Sequence, residues 1–248
     1  MEMLALAPAD FALLAVIVLA AGMVRGFAGF ALSALVMAAA IPILPPRELI
    51  PVCWTLEITA SLLMLRGGLR EADRRIALTL AFTSALGVPL GLWLTTRLPV
   101  EDTRLLALGV LIVLAVLQLA RIRMAWLATN SGLVGTGVLA GVVTGIASIG
   151  GMVVALYVLA QEAPARVMRA SLVLFLFASS LLTLLWQTGF GLFDGPALAR
   201  GLALAPVAAA GVLIGQAIFR PSLERFYKPF ALCLLIGLAS ASLLRAVL

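Results

Sequence analysis

The chain has 248 residues, 64% hydrophobic and 11% charged, with a mean hydropathy of +1.20 and a net charge of +6. That balance excludes a soluble domain, because so much apolar surface must face lipid. The chain has no histidine and only two cysteines, Cys53 and Cys233, which excludes zinc-site spacing and a disulfide framework and leaves little for catalysis.

Met1 to Asp10 carries only the charges Glu2 and Asp10, so the first apolar run is a poor cleavable signal peptide. Residues 10–44 then form one apolar stretch, too long for one span and too short for two spans with a loop. It is interrupted by Gly22-Met-Val-Arg25-Gly-Phe-Ala-Gly-Phe-Ala31. Clear spans follow at 48–65, 75–96 and 103–121. Residues 132–160 form a second interrupted stretch, broken at Gly141-Val-Val-Thr144-Gly-Ile-Ala-Ser148-Ile-Gly150, and the last spans fall at 168–187, 200–219 and 228–247. All of these runs read as helices, because the alternation of a membrane-spanning strand is absent.

The order repeats, and so do residues within it. Gly22, Gly26 and Ala28 match Gly141, Gly145 and Ala147 at one offset, and Pro45 and Arg47 match Pro164 and Arg166 at the same offset. Gly87 and Gly91 match Gly211 and Gly215 at an offset five residues larger, which fits a longer loop around 187–200. An internal duplication is the simplest source of such matches.

Loop charge then chooses a topology. If each interrupted stretch crosses once, the basic residues divide evenly between the two sides. If each returns to its own side, Arg66, Arg70, Arg74, Arg75, Arg121, Arg123, Arg166, Arg169, Arg220, Arg225 and Lys228 collect on one side. Only Arg47, Arg97, Arg104, Arg200 and Arg245 remain on the other. The second arrangement obeys the positive-inside rule. The expected fold is an all-α polytopic membrane protein of two inverted repeats, 1–125 and 126–248, each a re-entrant hairpin followed by three transmembrane helices. It would be multi-pass in the inner membrane, with both termini outside the cytoplasm. The second helix of each hairpin would begin near Gly29–Phe30 and Gly150–Gly151, and its free N–H groups would attract anions at the midplane.

Arg25 is the residue most in need of a role, since an intramembrane charge is costly and tends to be functional. It is either an anchor for an oxyanion through its rigid donor fork or one half of an ion pair with Glu57, near the middle of the 48–65 span. Glu57 is either that counter-ion or a proton carrier. Ser33, Thr144 and Ser148 either donate hydroxyls to a ligand or bond back to helix carbonyls. Among the glycines, Gly26, Gly29, Gly145, Gly150 and Gly151 are candidates to expose N–H groups; Gly29, Gly150 and Gly151 are favoured for function. Gly137 and Gly141 are favoured for packing. Gln118, Gln187 and Gln216 read as helix glue, and Trp54, Trp93, Trp126 and Trp186 as interface anchors.

The tracts Arg25-Gly-Phe-Ala-Gly-Phe30 and Gly145-Ile-Ala-Ser-Ile-Gly-Gly151, each followed by a proline near the hairpin's end (Pro45, Pro164), resemble the sulfite exporter TauE/SafE family of membrane permeases. The likeness extends over nearly the whole chain. It implies transport of sulfite, an organosulfonate or a related oxyanion, and draws Phe27 and Phe30 into the candidate site. Two departures bear on the substrate: Phe27-Ala-Gly-Phe-Ala-Leu-Ser33 lacks the family's glycine run, and Met152 stands where a proline is common. The expected activity is alternating-access export of a small sulfur anion, with no cofactor and no nucleic acid. The expected partners are the small anion and the lipid bilayer, and homo-oligomerisation is left open. Rivals are a proton-coupled uptake carrier for another organic anion and an anion channel. An enzyme is not expected, because no Ser–base pair or metal constellation is present.

Overall fold

A computed structural model describes residues 6–68, 70–120, 129–161, 165–218 and 224–247. Among them every regular element is a helix: α1 (Pro8–Ala28), α2 (Leu32–Ala40), α3 (Pro46–Gly68), α4 (Arg74–Arg97), α5 (Val100–Leu119), α6 (Asn130–Ala147), α7 (Gly150–Ala160), α8 (Ala165–Gly189), α9 (Gly195–Ile218) and α10 (Glu224–Val247). Of these, α1, α3, α4, α6, α8, α9 and α10 are long and apolar enough to cross a membrane. The protein is therefore an all-α, multi-pass membrane protein. Pro164, Trp126, Arg121, Arg123 and Arg220 lie outside the described residues, as do residues 1–5 and 248 at the two ends.

Local chemistry sets the helix ends. Pro8 and Asp10 open α1, a proline that loses no needed donor and an acid that favours the positive end of the dipole. The Asp73 carboxylate accepts from the Ile76 N–H at 3.0 Å to start α4, and the Thr129 hydroxyl accepts from the Gly132 N–H at 3.0 Å to start α6. Both expected breaks are present. At 21 residues, α1 is about 31 Å long at 1.5 Å per residue, a full membrane thickness, whereas α2 has nine residues.

The duplicated glycines explain how the helices pack. Gly22 and Gly26 of α1 lie against Gly211 and Gly215 of α9, and a methyl group at Gly26 would overlap the Val212 carbonyl oxygen. Gly141 and Gly145 of α6 lie against Ser84, Val88 and Gly91 of α4 in the same way. Such backbone contact is open only to glycine and gives the close van der Waals packing that replaces the hydrophobic effect in lipid. In each pair the contact advances along both helices together, so α1 runs with α9 and α6 runs with α4. Gly26 and Gly145, candidates for anion contact, are thus packing residues, as are Gly137 against Thr83 and Gly141.

Two further contacts orient α3 and α8. Glu48 at the start of α3 pairs with Arg200 near the start of α9 at 2.5 Å. The Asp73 N–H donates to Ser171 Oγ at 2.8 Å, and further along Ser84 Oγ meets Ser179 Oγ at 3.5 Å, so α4 and α8 advance together.

Gly145→Leu should lower the stability of the detergent-solubilised protein by about 1–3 kcal/mol or more, because the α4 backbone cannot yield. Gly109→Leu should leave it unchanged, since a Cβ there meets nothing within 4 Å. Thermal unfolding of the two variants checks this, and equal midpoints would refute the packing role.

Candidate functional site

The site is built at the two breaks. Helix α1 ends on Gly29, in the left-handed region at φ 82°, and α6 ends on Ser148 at φ 56°. Gly29 and Ser148 stand at the same sequence offset as Gly22 and Gly141, and their N–H groups bond back to the Arg25 and Thr144 carbonyls at 2.9 and 2.8 Å. Ala31, which precedes α2, is also left-handed at φ 76°, a conformation uncommon for alanine. Helix α2 therefore starts at Leu32, two residues beyond the expected Phe30, while α7 starts at Gly150 as expected.

Breaking a helix inside a membrane leaves carbonyls at one end and N–H groups at the other without partners. At the α1–α2 break an ion pair meets both needs. Arg25, fully buried at 0% exposure, donates from Nη1 to the Gly29 carbonyl and from Nη2 to Ser61 Oγ at 3.1 Å. Its Nη2 also faces Glu57 Oε2 at 3.4 Å. Glu57 Oε1 accepts from the Ser33 N–H at 3.2 Å and from Ser33 Oγ at 3.0 Å. The guanidinium thus serves the negative end of α1 and the carboxylate the positive end of α2. Of the two roles open to Arg25 in the sequence, the ion pair with Glu57 is the one formed. Arg169 of α8 adds a hydrogen bond to the Gly26 carbonyl at 2.5 Å, and its side chain lies against Gly29.

The α6–α7 break is treated differently. Thr144 occupies the place of Arg25 in the repeat, and at the same offset Leu176 occupies that of Glu57. Ile149 precedes α7, and no side chain caps its first turn. Thr144 Oγ1 bonds back to the Ala140 carbonyl at 2.7 Å, and that oxygen lies over Gly150. Gly150, buried, and Gly151, partly exposed, open α7 on the cavity with no side chain capping them.

Both breaks open on shared space. A small cavity of about 30 Å³ is lined by Glu57, Thr144, Ser148, Gly150 and Gly151 together with a face of α8. A second, of about 10 Å³, is lined by Ala31, Ser33 and Glu57 from one break and Ser148, Ile149 and Gly151 from the other. Glu57 lines both cavities, whereas Arg25 stands behind it and lines neither. Phe27 and Phe30 of the first tract are also absent from both linings.

The α8 face was not legible as part of a site. Ser179, Thr183 and Gln187 recur every fourth residue and so share one side of the helix, which lines the larger cavity. That spacing was the available signal; Gln187 had read as helix glue. Its amide nitrogen and oxygen have no hydrogen-bond partner, and neither does Thr183 Oγ1. Gln118 does act as glue, donating from α5 to the Met152 carbonyl of α7 at 2.9 Å. Trp54, expected at the interface, instead lines the cavity and donates from Nε1 to the Ser180 carbonyl at 2.7 Å. Trp93 and Trp186 are exposed, as interface residues are.

A bundle of membrane-crossing helices with two internal breaks facing a common cavity has the architecture of a permease. A profile of the family "Sulfite exporter TauE/SafE" matches residues 14–242, and the chain belongs to that family, a family of membrane transporters. No curated protein and no solved structure matches the chain.

Arg25→Met alone should cost about 3–5 kcal/mol, because it leaves Glu57 buried without its counter-ion. Combining it with Glu57→Gln, which keeps an acceptor for Ser33, should recover most of that loss. Equilibrium unfolding of the single and double variants measures the coupling, and strictly additive losses would exclude the pair as a unit.

Proposed function

We propose that the protein is an inner-membrane permease for a small sulfur-containing anion, sulfite or an organosulfonate, and that the anion docks at the start of α7. The observation that carries this reading is the inequality of the two interior helix starts. Glu57 supplies a carboxylate to the start of α2. Leu176 holds the matching place beside α7, where no side-chain cap is present. What a protein carboxylate does at one break, a substrate anion does at the other. The donors are the N–H groups of Gly150 and Gly151 with the hydroxyl of Ser148, since the Thr144 hydroxyl is already given to Ala140. Arg25, engaged through both terminal nitrogens with Gly29, Ser61 and Glu57 although its Nε has no partner, acts as a counter-ion within the scaffold rather than as the ligand anchor. Family membership makes a sulfur oxyanion the first choice among small anions.

The breaks are read as re-entrant hairpins and residues 1–125 and 126–248 as inverted halves, with the termini outside. The shared directions of α1 with α9, α6 with α4, and α4 with α8 support that reading. So does the Glu48–Arg200 pair at the starts of α3 and α9. Transport is by alternating access, outward. A monoanion leaving a negative interior gains about 2.3 kcal/mol per 100 mV, so export needs no coupling ion.

In a thermal-shift screen of purified protein, sulfite and methanesulfonate should raise the melting temperature, while acetate and choline should not. Ser148→Gly, which keeps the left-handed backbone and removes the hydroxyl, should weaken binding about tenfold. Arg104→Ala, on an exposed pair with Glu101, should leave it unchanged. A screen in which no sulfur anion shifts the transition would sink the reading. The topology has its own test, in a background lacking Cys53 and Cys233. Ala7→Cys and Arg47→Cys should be labelled by an impermeant thiol reagent from one side and Glu71→Cys from the other. Labelling of positions 7 and 47 from opposite sides would remove the hairpin.

A further inference from the structure

The unpartnered amide on α8 carries an inference about which sulfur anion fits. Gln187 is 1% exposed and Thr183 2% exposed, and both line the same cavity as Gly150 and Gly151. Neither the amide nitrogen nor the amide oxygen of Gln187 has a hydrogen-bond partner, and the Thr183 hydroxyl is equally unserved. Leaving such groups buried and unmet is costly, so a polar group brought by a ligand that satisfies them is favoured in proportion. The chemistry of the demand is specific. The amide oxygen needs a donor and the amide nitrogen needs an acceptor. A second sulfonate oxygen only accepts, an ammonium only donates, and a methyl group does neither. A hydroxyl does both. At the other end of the cavity the α7 N–H groups ask for an anion.

We propose that Gln187, seconded by Thr183, is a specificity residue that selects sulfonates bearing a hydroxyl group. The sulfonate sits at the α7 start and the hydroxyl reaches the α8 face. This rests on the anion site proposed above and adds the second half of the ligand. Ser179, on the same face, is already engaged with Ser84 and takes no part. Trp54 and Phe175 line the same cavity and supply apolar surface for the short carbon chain.

The test uses the full chain in detergent and three probes with the same sulfonate head and a similar length: 2-hydroxyethanesulfonate, 2-aminoethanesulfonate and 1-propanesulfonate. Isothermal titration should place 2-hydroxyethanesulfonate roughly tenfold tighter than the other two. Gln187→Leu should erase that preference, bringing the three dissociation constants to within about threefold of one another. Leucine is chosen because replacing an unmet buried amide with an apolar side chain of similar size need not harm folding. Equal binding of all three by the unaltered protein would overturn the role of Gln187 and leave the anion site standing. Tightest binding of 2-aminoethanesulfonate or 1-propanesulfonate would do the same. A preference that survives Gln187→Leu would also overturn it, as would an equal loss for all three. Failure of every sulfonate to bind would overturn the anion site and this role together.

Discussion

One ion pair makes the interior of this protein tenable. A helix interrupted within the bilayer exposes carbonyls and N–H groups that lipid cannot serve, and each costs several kcal/mol if left alone. At the α1–α2 break, Arg25 meets the carbonyl end and Glu57 the N–H end, and each neutralises the other. Neither residue would be tolerated without its partner. The pair also holds three elements in register, because Ser61 and Glu57 belong to α3 while Ser33 opens α2. The left-handed turns at Gly29 and Ala31 persist because the contacts around them fix the chain on both sides.

The second break lacks such a pair, and the proposed anion site rests on that difference. Thr144 and Leu176 bring no charge to the first turn of α7, whose Gly150 and Gly151 line the larger cavity. A symmetric chain with an arginine and a glutamate at both breaks would be rigid and self-satisfied at its centre. A chain with threonine and leucine at both would have backbone to offer but no fixed reference. On the proposed reading, one break serves structure and the other recognition. Glu57 belongs to both, since its carboxylate caps α2 and also faces the two cavities.

Much of the frame was legible because membrane packing writes itself in glycine. Gly22 and Gly26 could be paired in sequence with Gly141 and Gly145, and Gly87 and Gly91 with Gly211 and Gly215, and all of them lie on close helix contacts. Arg25 and Glu57 were legible as partners because a buried charge in lipid needs one. What sequence did not reveal was which side of Arg25 faces the cavity. Periodicity assigns a residue to a face of its helix, but not the neighbour that face meets. The same limit hid Gln187 and Trp54. Gln187, a polar residue near a span end, reads as helix glue in sequence, and only packing of α8 against the breaks turns Ser179, Thr183 and Gln187 inward. Trp54 read as an anchor because tryptophan so often sits at the bilayer surface, yet its indole donates to Ser180 inside the bundle.

The pairing of α1 with α9 has a consequence for how the protein comes into being. The two helices touch backbone to backbone through Gly22, Gly26, Gly211 and Gly215, but seven of the described helices separate them along the chain. At a synthesis rate of about 5–20 residues per second, roughly ten to forty seconds separate the emergence of α1 from that of α9. Through that interval α1 must wait in the membrane with its glycine face against lipid and an arginine beside it. Glu57 emerges within seconds of Arg25, so the charge is matched early and only the glycine face stands open. Order of synthesis thus favours an ion pair between close neighbours in the chain, with the long-range partner needed only to complete the packing.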